Sequence, residues 1–118
     1  HINYTNHVLC TLNTNEPVKG IAHITGGGLT ENIPRILPRG CSVNIKRGAW
    51  PNLPVFDTIE ELGNIEVEEM YKAFNMGIGM VFIVEKKSVD TITKSLKNIT
   101  PVFNIGTIVK GEGQTNYV

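Results

Sequence analysis

The 118 residues carry 11 Lys plus Arg against 11 Asp plus Glu, so no global field draws the chain to nucleic acid or an anionic membrane surface, and any anion site must be local. A chain of this length forms one domain and removes roughly two-thirds of its unfolded surface from water. The longest apolar run, Met80 to Val84, cannot cross a bilayer, and Cys10 and Cys41 lack the spacing of a zinc site or redox motif, so both read as reduced in a soluble, cytoplasmic chain.

The chain opens on His1 and not on methionine, which reads as a fragment, a processed product or a cloning scar. Tyr4, Val8, Leu9 and Leu12 recur at helical spacing, predicting a short lead-in helix before the turn at Asn13 to Pro17. His7 has no partner ligand at metal spacing and receives no role. Ile21, Ala22 and Ile24 then form a short strand, and Gly26, Gly27 and Gly28 open the φ > 0 region to the backbone. A helix is expected next, capped by Thr30 or Asn32, with Pro34 in its first turn and Pro38 stopping it.

Strand, glycine turn and helix start aim unpaired N–H groups at one point, which suits an anion. The same glycines also serve a plain chain reversal. His23, Thr25, Asn32 and Arg35 surround them with donors, which a purely structural turn does not require.

Downstream, Cys41, Val43 and Ile45 alternate with Ser42, Asn44 and Lys46 as a strand with one buried face. Trp50, beside Pro51, covers an edge of the core. Val55, Phe56, Ile59 and Leu62 predict a helix closed by Gly63, and Val67, Met70, Tyr71 and Phe74 predict another, with Glu66, Glu68 and Glu69 on its solvated face and Glu68 pairing with Lys72.

Asn75-Met76-Gly77-Ile78-Gly79-Met80 is a second glycine loop, leading into Met80 to Val84, whose unbroken apolar character predicts a strand covered on both faces. A helix C-cap followed by a tight turn explains such glycines more often than a ligand does, and the presence of two such loops in one small domain favours the ligand. Ser88 is expected to cap a helix with Val89, Ile92, Leu96 and Ile99 inward and an outer Asp90–Lys94 pair. A last strand runs from Val102 to Val109, where Gly106 marks a bulge or a close contact. The class is an α/β (α+β) sandwich, with an about four-stranded mixed sheet covered by helices.

His23 to Pro38, H-I-T-G-G-G-L-T-E-N-I-P-R-I-L-P, resembles the signature of the phosphoribosylformylglycinamidine cyclo-ligase (aminoimidazole ribonucleotide synthetase) family. Glu68 to Met80, the Trp50-Pro51 step and the Ile105-Gly106 step match the family's later segments, and Tyr4 to Leu9 is similar to its entry helix. The resemblance covers essentially the whole chain but only the C-terminal, substrate-side half of the family's enzyme.

It implies ATP-dependent closure of formylglycinamidine ribonucleotide to aminoimidazole ribonucleotide in purine biosynthesis. ATP phosphorylates the amide oxygen, an amidine nitrogen attacks the activated carbon, and phosphate leaves. ATP and Mg²⁺ would be bound mainly by an N-terminal domain absent here, with no metal ligands on this chain, which would be inactive alone; the full-length enzyme would be a homodimer. Gly26, Gly27 and Gly28 would present N–H groups to a phosphate, Thr25, Asn32 and Arg35 would add donors, and Asn75, Gly77 and Gly79 would line the facing loop. His23 is either the one acid–base candidate or a satisfied strand-end histidine. The alternatives are a stand-alone phosphate- or nucleotide-binding module, or a superfamily relative such as selenophosphate synthetase or thiamine-monophosphate kinase.

Overall fold

In a computed structural model describing residues 1–118, ten helices and strands follow in the order α1 (Thr5–Leu12), β1 (Val18–His23), α2 (Gly28–Asn32), β2 (Cys41–Ile45), α3 (Pro54–Gly63), α4 (Val67–Ala73), β3 (Met80–Val84), α5 (Val89–Leu96), β4 (Gly106–Lys110) and β5 (Thr115–Tyr117). Short 3₁₀ turns at Pro34–Ile36 and Lys86–Ser88 follow α2 and precede α5.

The α/β class stands, but the strands divide between two sheets. β1 pairs antiparallel with β3, while β2 sits between antiparallel β4 and parallel β5. The last strand is shorter than its alternation predicts. Residues 102–105 precede β4 without joining a regular ladder, although the Lys46 N–H donates to the Ile105 carbonyl at 2.8 Å. β3 is half-buried along its whole length, not enclosed on both faces, and only one of its edges is paired, with β1. Hydrophobic alternation does not predict β5, whose three residues are too few for it to register.

One apolar cluster organises the molecule. Ala22 and Ile24 at the end of β1, Leu29 and Ile33 beside α2, Val43 and Ile45 of β2, and Met70 of α4 are all buried, and Trp50, Phe56, Met76 and Ile78 complete the cluster. Trp50 does more than cover an edge: its indole N–H donates to the Met76 carbonyl at 2.8 Å, tying the 75–79 loop to the core. Fully burying a side chain of the Leu, Ile or Met class contributes about 1.5–3 kcal/mol, so these residues hold β1, α2, β2 and α4 together.

Local details differ from expectation for identifiable reasons. α2 starts at Gly28, with Gly27 at the cap position, φ 97°, and neither Thr30 nor Asn32 caps it. Pro34 begins the following 3₁₀ turn instead. Asn64, φ 48°, ends α3 in the left-handed region in place of Gly63, since asparagine tolerates that conformation. Ser88 does not cap α5; its hydroxyl donates to Glu16 Oε2 at 2.6 Å. Lys72 pairs with Glu69 at 3.0 Å, leaving Glu68 to Arg47 at 3.4 Å. Asp90 and Lys94 form no ion pair, and Ile99 is exposed beyond the end of α5. Both cysteines are free.

Candidate functional site: the paired glycine turns

The two glycine segments lie side by side. In the β1–β3 ladder His23 stands opposite Met80, and one step further the Ile24 N–H donates to the Gly79 carbonyl at 2.9 Å. The turn that follows β1 is closed by the Gly28 N–H donating to the Thr25 carbonyl at 3.0 Å.

Asn32 is what fixes this turn. Its buried side-chain amide nitrogen is shared among the carbonyls of Thr25 (3.2 Å), Gly26 (3.2 Å) and Gly28 (2.9 Å). Its Oδ1 accepts from the Thr25 hydroxyl at 3.4 Å and from Arg35 Nη1 at 3.1 Å. The expectation that Asn32 offers a donor to a ligand is therefore corrected: its donors are consumed inside the turn, where leaving buried carbonyls unpaired would cost about 1–3 kcal/mol each.

Gly28 is corrected in the same way. Its amide closes the turn, and a Cβ there would overlap the carbonyl oxygens of Tyr71 and Phe74 while φ is +57°. Glycine is required here for close approach to α4 and not for presenting an N–H outward. The amides of Thr25, Gly26 and Gly27, by contrast, donate to no acceptor within the protein. Successive free N–H groups on a turn form a concavity suited to an anion. Gly26 is exposed, and nothing lies within 4 Å of where its Cβ would stand.

Around this concavity, His23 and Thr25 alternate with buried Ala22 and Ile24 and so lie on the other face of the strand. The His23 ring is exposed and stands edge-on to Tyr4 at 6.0 Å and His1 at 5.8 Å. Arg35 is exposed; besides Asn32 it meets Glu31 at 3.9 Å, which offsets part of its charge. Asn75 turns inward to its own loop, its Oδ1 accepting from the Gly77 N–H at 2.9 Å. Gly77, φ 92°, is exposed. At Gly79 a Cβ would overlap the Tyr4 hydroxyl, so that glycine admits α1 to the sheet.

Behind the turn lies a brace that sequence reasoning missed. The Thr30 hydroxyl donates to the Tyr71 carbonyl at 3.1 Å and therefore accepts from the Tyr117 hydroxyl at 2.7 Å. Thr115 donates to the carbonyls of Leu29 and Thr30 at 3.3 and 3.2 Å. Arg47 lies against the rings of Tyr71 (5.2 Å) and Tyr117 (4.9 Å). Burial pushes both phenols above their ordinary pKa, with Arg47 opposing it. A backbone hydrogen bond and the Arg47 contact hold the Glu68 carboxyl below its usual range. A threonine on a helix packed between other elements was the only sequence signal for this network.

No three His, Cys, Asp or Glu side chains converge to hold a metal ion, and no helix is long and apolar enough to cross a membrane.

The family described as AIR synthase related protein, C-terminal domain, matches residues 4–118. A phosphoribosylformylglycinamidine cyclo-ligase of Caldanaerobacter subterraneus is 55% identical over 97 residues, covering 81% of this chain and 29% of that protein. The cyclo-ligase of Brevibacillus brevis is 44% identical over 115 residues, 97% of this chain and 33% of the relative. The bifunctional purine biosynthetic protein purD of Dictyostelium discoideum is 51% identical over 96 residues, 80% of this chain and 12% of its own length. This chain thus spans a third or less of the length of these curated relatives. Among solved structures, E. coli HypE, a hydrogenase maturation protein, superposes with a TM-score of 0.70 over 97% of this chain and 36% of its own, at 21% identity, a likeness of fold. With the family match running from the lead-in helix through β5, the chain belongs to the AIR synthase related protein C-terminal domain family.

Proposed function

We propose that this chain is the substrate-side part of a phosphoribosylformylglycinamidine cyclo-ligase, and that its Thr25–Gly27 turn holds a phosphate group of the ribonucleotide. The reaction is the ATP-dependent ring closure of formylglycinamidine ribonucleotide to aminoimidazole ribonucleotide. The observation that carries the reading is the set of three consecutive amides without a protein acceptor, at Thr25, Gly26 and Gly27, inside the motif the chain shares with that family. Arg35 supplies nearby positive charge, and Gly77 offers exposed backbone on the neighbouring loop. His23 is assigned a hydrogen-bonding or proton-transfer role on the same strand face as Thr25.

ATP and Mg²⁺ belong in this reading to a further domain of the longer protein. Among the residues here no three carboxylate, imidazole or thiol side chains converge, and this reading assigns the chain no ligand to that metal. The full-length enzyme is assigned a dimeric, cytoplasmic state.

The test is a titration with inorganic phosphate and with ribose 5-phosphate, followed by backbone amide chemical shifts. Saturable shifts are expected at Thr25, Gly26 and Gly27, and Gly26→Val should abolish them with the fold intact, because its side chain enters open space over the turn. A folded chain whose turn amides do not respond to either anion refutes the phosphate assignment. Release of phosphate from ATP by residues 1–118 alone would refute the dependence on a second domain.

A further inference from the structure

Building on the phosphate reading of the Thr25–Gly27 turn, we infer that Tyr4 is a specificity residue of the same site: its phenol hydroxyl contacts a hydroxyl of the pentose whose 5-phosphate the turn holds.

Tyr4 immediately precedes α1 and packs onto the junction of the two glycine segments. A Cβ on Gly79 would overlap the Tyr4 hydroxyl, so that hydroxyl rests directly against the glycine. Gly79 is tied in turn to the end of β1, its carbonyl accepting from the Ile24 N–H at 2.9 Å, and the next amide along the chain is Thr25, the first of the three free donors. One strand spacing of about 4.8 Å and one residue rise of about 3.3 Å therefore put the phenol hydroxyl within about 10 Å of the turn. A phosphate on the turn and the pentose attached to it fill such a gap, with a hydrogen bond at either end.

The hydroxyl is free while the ring is not. Tyr117 spends its hydroxyl on Thr30 at 2.7 Å, but that of Tyr4 bonds to nothing in the protein and is not among the side-chain polar atoms shut off from solvent. The half-buried Tyr4 ring stands edge-on to the imidazoles of His7 at 5.0 Å and His23 at 6.0 Å, the arrangement aromatic pairs prefer. A polar group already held in place loses little freedom when a ligand arrives. Its chemistry also separates it from the turn. Backbone N–H groups only donate and suit phosphate oxygens, whereas a phenol hydroxyl both donates and accepts, as a sugar hydroxyl does.

The test compares two phosphate monoesters, methyl phosphate and ribose 5-phosphate, titrated into the parent chain and into Tyr4→Phe and followed by backbone amide shifts. Phenylalanine keeps the ring and its edge contacts and removes only the hydroxyl. In the parent, ribose 5-phosphate should bind about tenfold more tightly than methyl phosphate, and it alone should shift the Gly79 amide. In Tyr4→Phe that preference should shrink about fivefold, the contribution of one such hydrogen bond, with the affinity for methyl phosphate unchanged. Equal binding of the two esters by the parent, or an unmoved Gly79 amide, overturns the sugar contact and leaves the phosphate reading standing. So does a preference retained in Tyr4→Phe, or an equal weakening of both esters, which would place the hydroxyl on the phosphate. Silence of Thr25, Gly26 and Gly27 toward both esters refutes the phosphate reading, and the sugar contact with it.

Discussion

The side of the molecule that carries the glycine turn and the side that carries α5 are built to different standards. Around the turn, Leu29 is 0% exposed and Ile24 and Ile33 are each 1% exposed, and the polar groups among them are closed by Asn32. Around α5, the strand beneath is half-buried and a cleft of about 600 Å³ intervenes. The radius of gyration, 14.5 Å, exceeds the roughly 13.5 Å expected of a compact chain of this length. The proposed anion site is made of backbone, whose donors cannot be re-aimed by rotating side chains, and it is braced from behind by α4 and β5; the strand beneath α5 lacks such a brace.

The comparison can be broken most directly at Gly28. Alanine there must displace the Tyr71 and Phe74 carbonyls at a positive φ, and we expect a loss of about 4 kcal/mol or more in urea denaturation, or no folded protein. Gly26→Ala, two residues earlier and with open space above it, should stay within about 0.5 kcal/mol of the parent. If the two alanines cost the same, the turn is not clamped against α4.

A paired truncation measures the contrast in packing. Leu29→Ala should fall near the upper end of the range for such changes, about 4–5 kcal/mol, whereas Ile92→Ala, at the cleft wall, should cost about 2 kcal/mol. Equal losses would mean that the α5 side packs as tightly as the turn.

The smallest effect concerns the brace. Tyr117→Phe removes the donor to Thr30 and should cost about 1 kcal/mol. It also carries a pH signature. An unfolded phenol ionises near pH 10 while burial raises the folded value, so above that pH the folded state binds more protons than the unfolded one. The stability is complete below pH 10 and is lost as pH rises through the folded pKa. The variant should show a shallower decline over that window, with Tyr71 supplying what is left. An identical slope in both proteins would place the Tyr117 hydroxyl in water.

Periodicity carried the reading of the sequence a long way, because it reports burial one element at a time. The 3.6-residue spacing of Val67, Met70, Tyr71 and Phe74 found α4, and the apolar run at Met80 found β3. What it could not carry were choices made between distant residues. Asn32 looks from its neighbours like a donor to a ligand, but the three carbonyls that claim it come together only once the turn has formed. Ser88 has the right identity for a helix cap, yet Glu16, far away in sequence, offers a charged acceptor. Lys72 had two glutamates within reach, and Arg47 from the loop after β2 decided between them by taking Glu68. In the candidate site, the glycines marked the place, whereas which amides stay free depended on the clamp.

The bonds from Thr115 and Tyr117 to α2 span 85 to 87 positions of sequence. A ribosome makes the glycine turn first and its brace last, so throughout most of synthesis the turn exists without the contacts that steady it from behind. Such distant closures come late in folding, after local helices have formed. We therefore expect a chain truncated before residue 115 to carry the whole motif without the contacts from Thr115 and Tyr117 that support it.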